Sequence, residues 1–240
     1  MIGVPPTSLA PRPIPLSGGP WVNLAAARDG LAGALLVALP VFLQAPWVRV
    51  APATATLFTA VLVLAGTVLQ RQQDPRLRDA GVLLVGFAGS WLGGCLFWGW
   101  CRLHPIWHLP IEAFALPLAL AGLSSRWRLG CALYLGSLVG TAATDGAIAI
   151  TGLMPLWPKV LAADPLEATV LLQQAAQQVL EPEALMVVVA AGLLLLQACR
   201  WIWRWGRAGR VAGAALATTL AIDGLFLAAA LLAPKLSGLI

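Results

Sequence analysis

The sequence has few charged residues, one tyrosine and no paired cysteines. Only 10% of its 240 residues are charged. A soluble domain of this length carries about a quarter of its residues as charged side chains, so a soluble globular class is excluded. The four cysteines form no C-x-x-C pair and no metal-like spacing. The sequence also has no phosphate-binding glycine loop and no nucleophile with a paired base, which argues against kinases and hydrolases.

What the sequence does contain is long apolar stretches. Hydrophobic residues make up 60% of the chain. A helix needs about 20 predominantly apolar residues to cross a bilayer. Stretches that qualify occur at 30–50, 53–70, 80–100, 106–123, 129–153, 184–203 and 211–233. We therefore predict an all-α, polytopic helical membrane bundle of about seven transmembrane helices, with the lipid bilayer as its main partner.

The predicted domain organisation is simple. Residues 1–29 begin with six prolines in twenty residues, which favours a disordered leader. Residues 30–240 form a single transmembrane domain. Within it, the long connection at 154–183 contains a predicted amphipathic surface helix at 164–181, capped by Asp164 with a proline at its first position.

Basic residues are distributed unequally between the two sides of this arrangement. The leader and the loops after spans two, four and six hold eleven of the fifteen Lys and Arg, and the opposite side holds four. This asymmetry is the positive-inside pattern and predicts an N-in, C-out orientation. The segment RWIWRWGRAGR at 200–210 is therefore predicted to be an interfacial anchor and not a nucleic-acid site. Indole rings and arginines both favour the headgroup region.

Small residues and prolines within the spans predict local packing. Gly86, Gly89, Ser90 and Gly93 share one face of span three, and Gly136 with Gly140 repeats a G-x-x-x-G spacing in span five. Faces of this kind let helices approach closely. Pro40 and Pro117 are expected to kink spans one and four.

Ionisable residues inside the spans point to a candidate site. His108 and Glu112 lie four residues apart, so they share a helix face. Asp145 and Asp223 lie roughly 25 Å and 20 Å along their own spans, which places all four residues in the outer half of the membrane. We predict an outward-opening polar pocket with these ligand-binding residues: Arg102, His108, Glu112, Thr141, Asp145 and Asp223.

Two other interpretations of these residues stay open. In a structural one, Asp145 hydrogen-bonds Thr141, Asp223 braces a neighbouring helix and Arg102 neutralises Glu112. In a metal-binding one, His104, His108 and Glu112 are ligands at four-residue spacing, but Pro105 and Pro110 interrupt the helix that this alignment requires. The sequence assigns no metal, no cofactor and no catalytic residue.

The segments FWGWCRLHPIWHLPIEAFALPLAL and YLGSLVGTAATD resemble a family of uncharacterised polytopic membrane proteins of cyanobacteria, a domain of unknown function. The resemblance runs from Phe42 to the C-terminus, and matching positions occur at His108, Leu109, Pro110, Ile111, Glu112, Gly136, Thr141 and Asp145. It implies a location in the bacterial plasma membrane or the thylakoid and no assigned activity.

Three functions are compatible with these features. The first is a small-ligand or ion binding protein of transport type that uses the His/Glu/Asp pocket. The second is a non-catalytic assembly or scaffold factor of the photosynthetic membrane, in which membrane-protein subunits bind the Trp-rich faces. The third is an enzyme in which an intramembrane carboxyl acts as general acid on an isoprenoid or lipid.

Overall fold

A computed structural model describes residues 20–233, and this range is helical without any strand. The helices in chain order are α1 (Pro20–Leu39), α2 (Ala45–Val50), α3 (Pro52–Gln70), α4 (Pro75–Leu96), α5 (His108–Glu112), α6 (Leu116–Gly122), α7 (Arg128–Ile150), α8 (Leu156–Ala162), α9 (Pro165–Val179), α10 (Pro182–Trp203) and α11 (Gly206–Leu232). Short π-helical and 3-10 segments join several of them.

Six helical segments in the described range are long and apolar enough to cross a membrane. They are Ala26–Val50, Pro52–Gln70, Pro75–Cys101, Arg128–Ile150, Pro182–Trp203 and Gly206–Leu232. Many of their aliphatic side chains are exposed on the outside of the bundle, where a soluble protein would present charge. The prediction of a polytopic helical bundle is confirmed, and the protein is an integral membrane protein.

The predicted fourth span is not one continuous helix. Residues 105–122 form a 3-10 turn at Pro105–Trp107, then α5, a second 3-10 turn at Ala113–Ala115, and α6. Prolines at 105, 110 and 117 remove backbone donors along this stretch, which explains why its helices are short. The expected kink at Pro117 is thus part of a broken segment.

The broken segment nevertheless connects the two ends of the bundle. At its start, the indole of Trp157 in α8 donates to the carbonyl of Arg102 at 2.9 Å. Just beyond its end, Arg126 shares a hollow with Arg71 and Asp79 at the opposite end. Within residues 20–233 the chain therefore passes seven times between the ends, six times as continuous helix. We call the end with Arg71 and Arg126 the basic end and the other the distal end.

The observed start of the first helix differs from the predicted boundary of the leader. α1 begins at Pro20, whereas the sequence placed the leader up to residue 29 and the first span from residue 30. Residues 1–19 of the predicted leader lie outside the described range. Pro40 opens a π-helical turn, Pro40–Gln44, at the position of the expected kink in the first pass.

The connection at the distal end contains two helices. The predicted surface helix is present as α9, and the carboxylate of Asp164 accepts hydrogen bonds from the backbone N–H groups of Leu166 and Glu167 at 2.9 Å. α8 precedes it and was not predicted. Both helices lie over the distal end, where α9 also contacts α11.

Glycines set the distances between the central helices. Gly86 of α4 lies against the backbone of Gly130 of α7, so these two passes touch directly. Gly136 of α7 faces the backbone of Ala212, and Gly140 faces Thr219, both on α11. The predicted small-residue faces are therefore used in the core of the bundle, with α7 between α4 and α11.

One tryptophan lies in the core and not at a span end, where tryptophans are expected. Trp91 is 3% exposed, contacts Trp47, Phe58 and Phe87, and donates its indole hydrogen to the carbonyl of Ala55 at 2.9 Å. A buried indole needs such an acceptor.

The basic end is closed by ion pairs that the sequence analysis did not predict. Asp29 of α1 is 5% exposed and accepts hydrogen bonds from Arg207 and Arg210 of α11. Arg207 also contacts Asp79 of α4 at 2.8 Å. These pairs join α1, α4 and α11. They also neutralise the Asp29 carboxylate, whose burial without a partner would be unfavourable.

We expect Gly86→Ala to lower the free energy of unfolding by about 2 kcal/mol, because a Cβ there overlaps the Gly130 backbone. Gly192→Ala in α10 is the matched control, since no atom lies within 4 Å of its added Cβ. Thermal unfolding in detergent measures both, and equal effects of the two changes would contradict the packing described here.

We expect Asp29→Ala to destabilise the protein by about 3 kcal/mol, because it leaves two arginines without their buried partner. Asp79→Ala should cost less than about 1 kcal/mol, since the Asp79 and Arg207 side chains are 30% and 44% exposed. The same melting experiment compares them, and a larger effect at Asp79 would show that Asp29 is not the main link.

Candidate functional site

Three of the predicted site residues contact one another at the distal half of the bundle. The Nδ1 atom of His108 lies 3.0 Å from both carboxylate oxygens of Asp145, and Nε2 lies 3.3 Å from Oε1 of Glu112. His108 and Glu112 come from α5, and Asp145 comes from α7. We call these three residues the His108 cluster; their side chains are only 11–17% exposed.

Thr141 and Tyr134 of α7 position Glu112. The Thr141 hydroxyl donates to Oε2 of Glu112 at 2.9 Å. The Tyr134 hydroxyl donates to the backbone carbonyl of Glu112 and accepts from the backbone N–H of Ala115 at 3.2 Å. Tyr134 thus supplies partners to backbone groups at the break between α5 and the following 3-10 turn, where regular helical bonds are missing.

Hydrogen-bond counting fixes the charge of the His108 cluster. Each of its two N···O contacts needs one proton, because a carboxylate oxygen without a proton cannot donate. The two protons either both lie on the imidazole or are divided between the imidazole and one carboxyl group. In both arrangements the imidazole and the two carboxyl groups together carry a net charge of −1.

Asp223 lies beside the cluster but does not belong to it. Its Oδ2 atom accepts a hydrogen bond from the Thr144 hydroxyl at 2.6 Å. Thr144 precedes Asp145 on α7, so Asp223 of α11 adds a third acidic group, next to the two of the cluster. The ion pairs of Arg207 and Arg210 are with Asp29 and Asp79 and not with these acids.

Aromatic rings surround the imidazole of His108. Phe97 lies nearest, with ring centroids 4.2 Å apart, and Trp98 and Trp157 lie at 5.9 and 5.6 Å. Phe97 and Trp98 belong to the π-helical turn Phe97–Cys101, which continues α4. Such turns are frequent at functional sites because they move side chains out of helical register. Trp157 of α8 stacks on Trp98 and covers the distal side.

Arg102 does not neutralise Glu112, contrary to the structural interpretation of the sequence. It lines a separate distal hollow of about 230 Å³, together with Arg49, Trp98 and residues of α8 and α9. Trp98 contacts His108 on its other side, so an aromatic side chain separates this hollow from the cluster. The Asp145–Thr141 pair of that interpretation is also replaced, since Thr141 bonds Glu112 and Asp145 bonds His108.

The H-x-x-x-H-x-x-x-E pattern is not assembled. His104 is exposed before the turn Pro105–Trp107, whereas His108 is buried in α5. Both ring nitrogens of His108 already contact carboxylates. Within residues 20–233, no group of three or more His, Cys, Asp or Glu side chains is arranged as a preformed metal site.

Most of the chain matches a known protein family. Residues 33–231 match the family described as "Protein of unknown function (DUF3120)". The chain belongs to the DUF3120 family. It has no significant match among curated proteins or among solved structures.

The DUF3120 match includes the broken pass and the whole His108 cluster. The match begins after the proline-rich leader. The resemblance noted from the sequence also begins after the leader. The match supports the recognition of a domain of unknown function, while a cyanobacterial source stays a prediction.

Four residues at this site of the DUF3120 protein were not predicted from the sequence: Phe97, Tyr134, Thr144 and Trp157. Tyr134 is the one tyrosine in the chain and lies within a span, which was a usable signal. Thr144 lies next to an acid already selected. The aromatic residues had no such signal, because their contacts depend on the π-helical turn and on α8, neither of which was predicted.

We expect Thr141→Val to lower the free energy of unfolding by about 1–3 kcal/mol, because Oε2 of Glu112 loses its donor in a poorly solvated site. Thr67→Val is the matched control, since the Thr67 hydroxyl bonds only a carbonyl of its own helix at an exposed position. Thermal melts in detergent compare the two. Equal melting temperatures for both variants would contradict the role given to Thr141.

Proposed function

We propose that the protein is a transport-type membrane protein that binds a small cation at the His108 cluster in exchange for a proton. The observation that supports this most is one imidazole between two carboxyl groups from different passes, at 3.0 and 3.3 Å. Ionisable residues at membrane depth are rare and are typical of ion and proton pathways.

Such an exchange leaves the net charge of the cluster unchanged. Loss of one of its two protons changes the net charge from −1 to −2, and binding of one monovalent cation to the carboxylate oxygens returns it to −1. An uncompensated charge is costly in a medium of low dielectric constant. A cation that replaces the proton avoids this cost, and Asp223 of α11 provides a further acidic group at Thr144, the residue before Asp145 on α7.

The broken pass at 105–122 supports the same function. Non-helical backbone at membrane depth is tolerated where it is buried in protein or lines an aqueous path. Transporters place ion sites at such breaks because side chains and freed backbone groups converge there. In this chain, the break between α5 and the turn Ala113–Ala115 directly follows Glu112.

The proposed location follows the family resemblance. We assign the protein to the bacterial plasma membrane or the thylakoid, with the N-terminus and the basic end facing the cytoplasm. The support is the resemblance to cyanobacterial membrane proteins and the excess of basic residues at one end.

Proton release on cation binding tests the proposed function. Na⁺, K⁺ or Li⁺ is added to weakly buffered, purified protein, and a pH-indicator dye records released protons. We expect saturable release by the wild type with at least one of these ions, because the cation takes the place of one proton. Glu112→Gln and Asp145→Asn should abolish the release, since each removes a carboxylate from the cluster.

Glu183→Gln is the control, because Glu183 is exposed at the start of α10 and is not a hydrogen-bond or ion-pair partner of the cluster residues. It should release protons like the wild type. Each variant is first checked for a cooperative melt. Asp223→Asn, which leaves the three residues of the cluster unchanged, is measured in the same way. The proposal fails if the folded wild type releases no protons saturably, or if Asp145→Asn releases as many as the wild type.

A further inference from the structure

A second polar site lies at the basic end, far from the His108 cluster. A hollow of about 490 Å³ opens there between the last residue of α3, the loop 71–74, the first turns of α4 and the turn before α7. Three arginines line it: Arg71, Arg78 and Arg126. We call it the basic hollow.

The positive charge of the basic hollow is not neutralised from within. Its single acidic side chain, Asp79, forms an ion pair with Arg207 at 2.8 Å. Among residues 20–233, neither Arg71 nor Arg126 has an acidic partner within ion-pair distance. Three arginines therefore line one concave surface, and Asp79, the carboxylate among its lining residues, is already paired.

Local contacts hold the backbone that carries these arginines in place. Gly81 of α4 lies against the backbone of Gln70 and Gly66 of α3, so the two helices meet without intervening side chains. The carboxylate of Asp74 accepts from the backbone N–H of Arg76 at 2.8 Å and starts α4.

Two of the arginines are also held directly. Arg78 donates to the carbonyl of Gln73 at 3.1 Å, which orients it along the loop. The Arg126 guanidinium lies 5.4 Å from the centre of the Trp127 ring. This cation–π contact favours a side-chain position beside the hollow.

We infer that the basic hollow binds a phosphate-bearing anion at the membrane surface. Guanidinium groups recognise phosphate oxygens with paired, charge-assisted hydrogen bonds, and three of them around one cavity exceed what a general basic rim requires. The phosphate comes either from the headgroup of an anionic lipid or from a free phosphate compound. This inference is independent of the cation site, because the two sites share no residue and lie at opposite ends.

Thermal stabilisation of the full-length protein in neutral detergent tests this inference. The probes are phosphatidylglycerol in mixed micelles, phosphatidylcholine as a neutral lipid, and inorganic pyrophosphate. We expect saturable stabilisation by a phosphate-bearing anion and none by phosphatidylcholine. Arg71→Gln and Arg126→Gln should each raise the half-saturating concentration about tenfold, as expected for loss of one charge-assisted contact.

Arg204→Gln is the matched control, because Arg204 is exposed at the end of α10, at the basic end but outside the hollow. It should leave half-saturation unchanged. Stabilisation by phosphatidylglycerol but not by pyrophosphate identifies a lipid headgroup. Stabilisation by pyrophosphate identifies a free phosphate compound. The inference is overturned if neither probe stabilises the wild type saturably, or if Arg204→Gln weakens the effect as much as Arg126→Gln.

Discussion

The free energy needed to remove an ionised carboxylate from water is the constraint on which the rest of this structure depends. Asp29 and Asp145 both lie in poorly solvated positions, and each has a cationic or proton-bearing partner from another pass. Arginines from the membrane surface reach Asp29, because it lies at the end of the bundle. Deeper in the bundle no arginine is paired with Asp145, and an imidazole takes that place.

The second constraint is the backbone of the broken pass. Prolines prevent a continuous helix over 105–122, so backbone donors and acceptors are left without helical partners. Tyr134 bonds both Glu112 and Ala115 and thereby links the break to α7. The same break places His108 and Glu112 against α7 at the height of Asp145. The irregular geometry and the position of the acids therefore have one cause.

The sequence predicts some of these features better than others, for physical reasons. Long apolar stretches predict the passes, since each one is a local property. The spacing of His108 and Glu112 predicts their contact, because one helical turn connects them. The pairing of His108 with Asp145, and of Asp29 with two arginines, depends on the rotation and height of separate helices. Neither is encoded within a single span, and the expected partner of Glu112, Arg102, lies elsewhere for the same reason.

The most direct test of this account is the ¹⁵N NMR spectrum of the histidine side chains. The chain has only two histidines, and His104→Gln leaves His108 alone. The account predicts that Glu112→Gln shifts mainly the Nε2 resonance and Asp145→Asn mainly the Nδ1 resonance, because each nitrogen bonds a different carboxyl group. If either resonance is unchanged by the substitution of its partner, the imidazole does not lie between the two acids and the central claim is wrong.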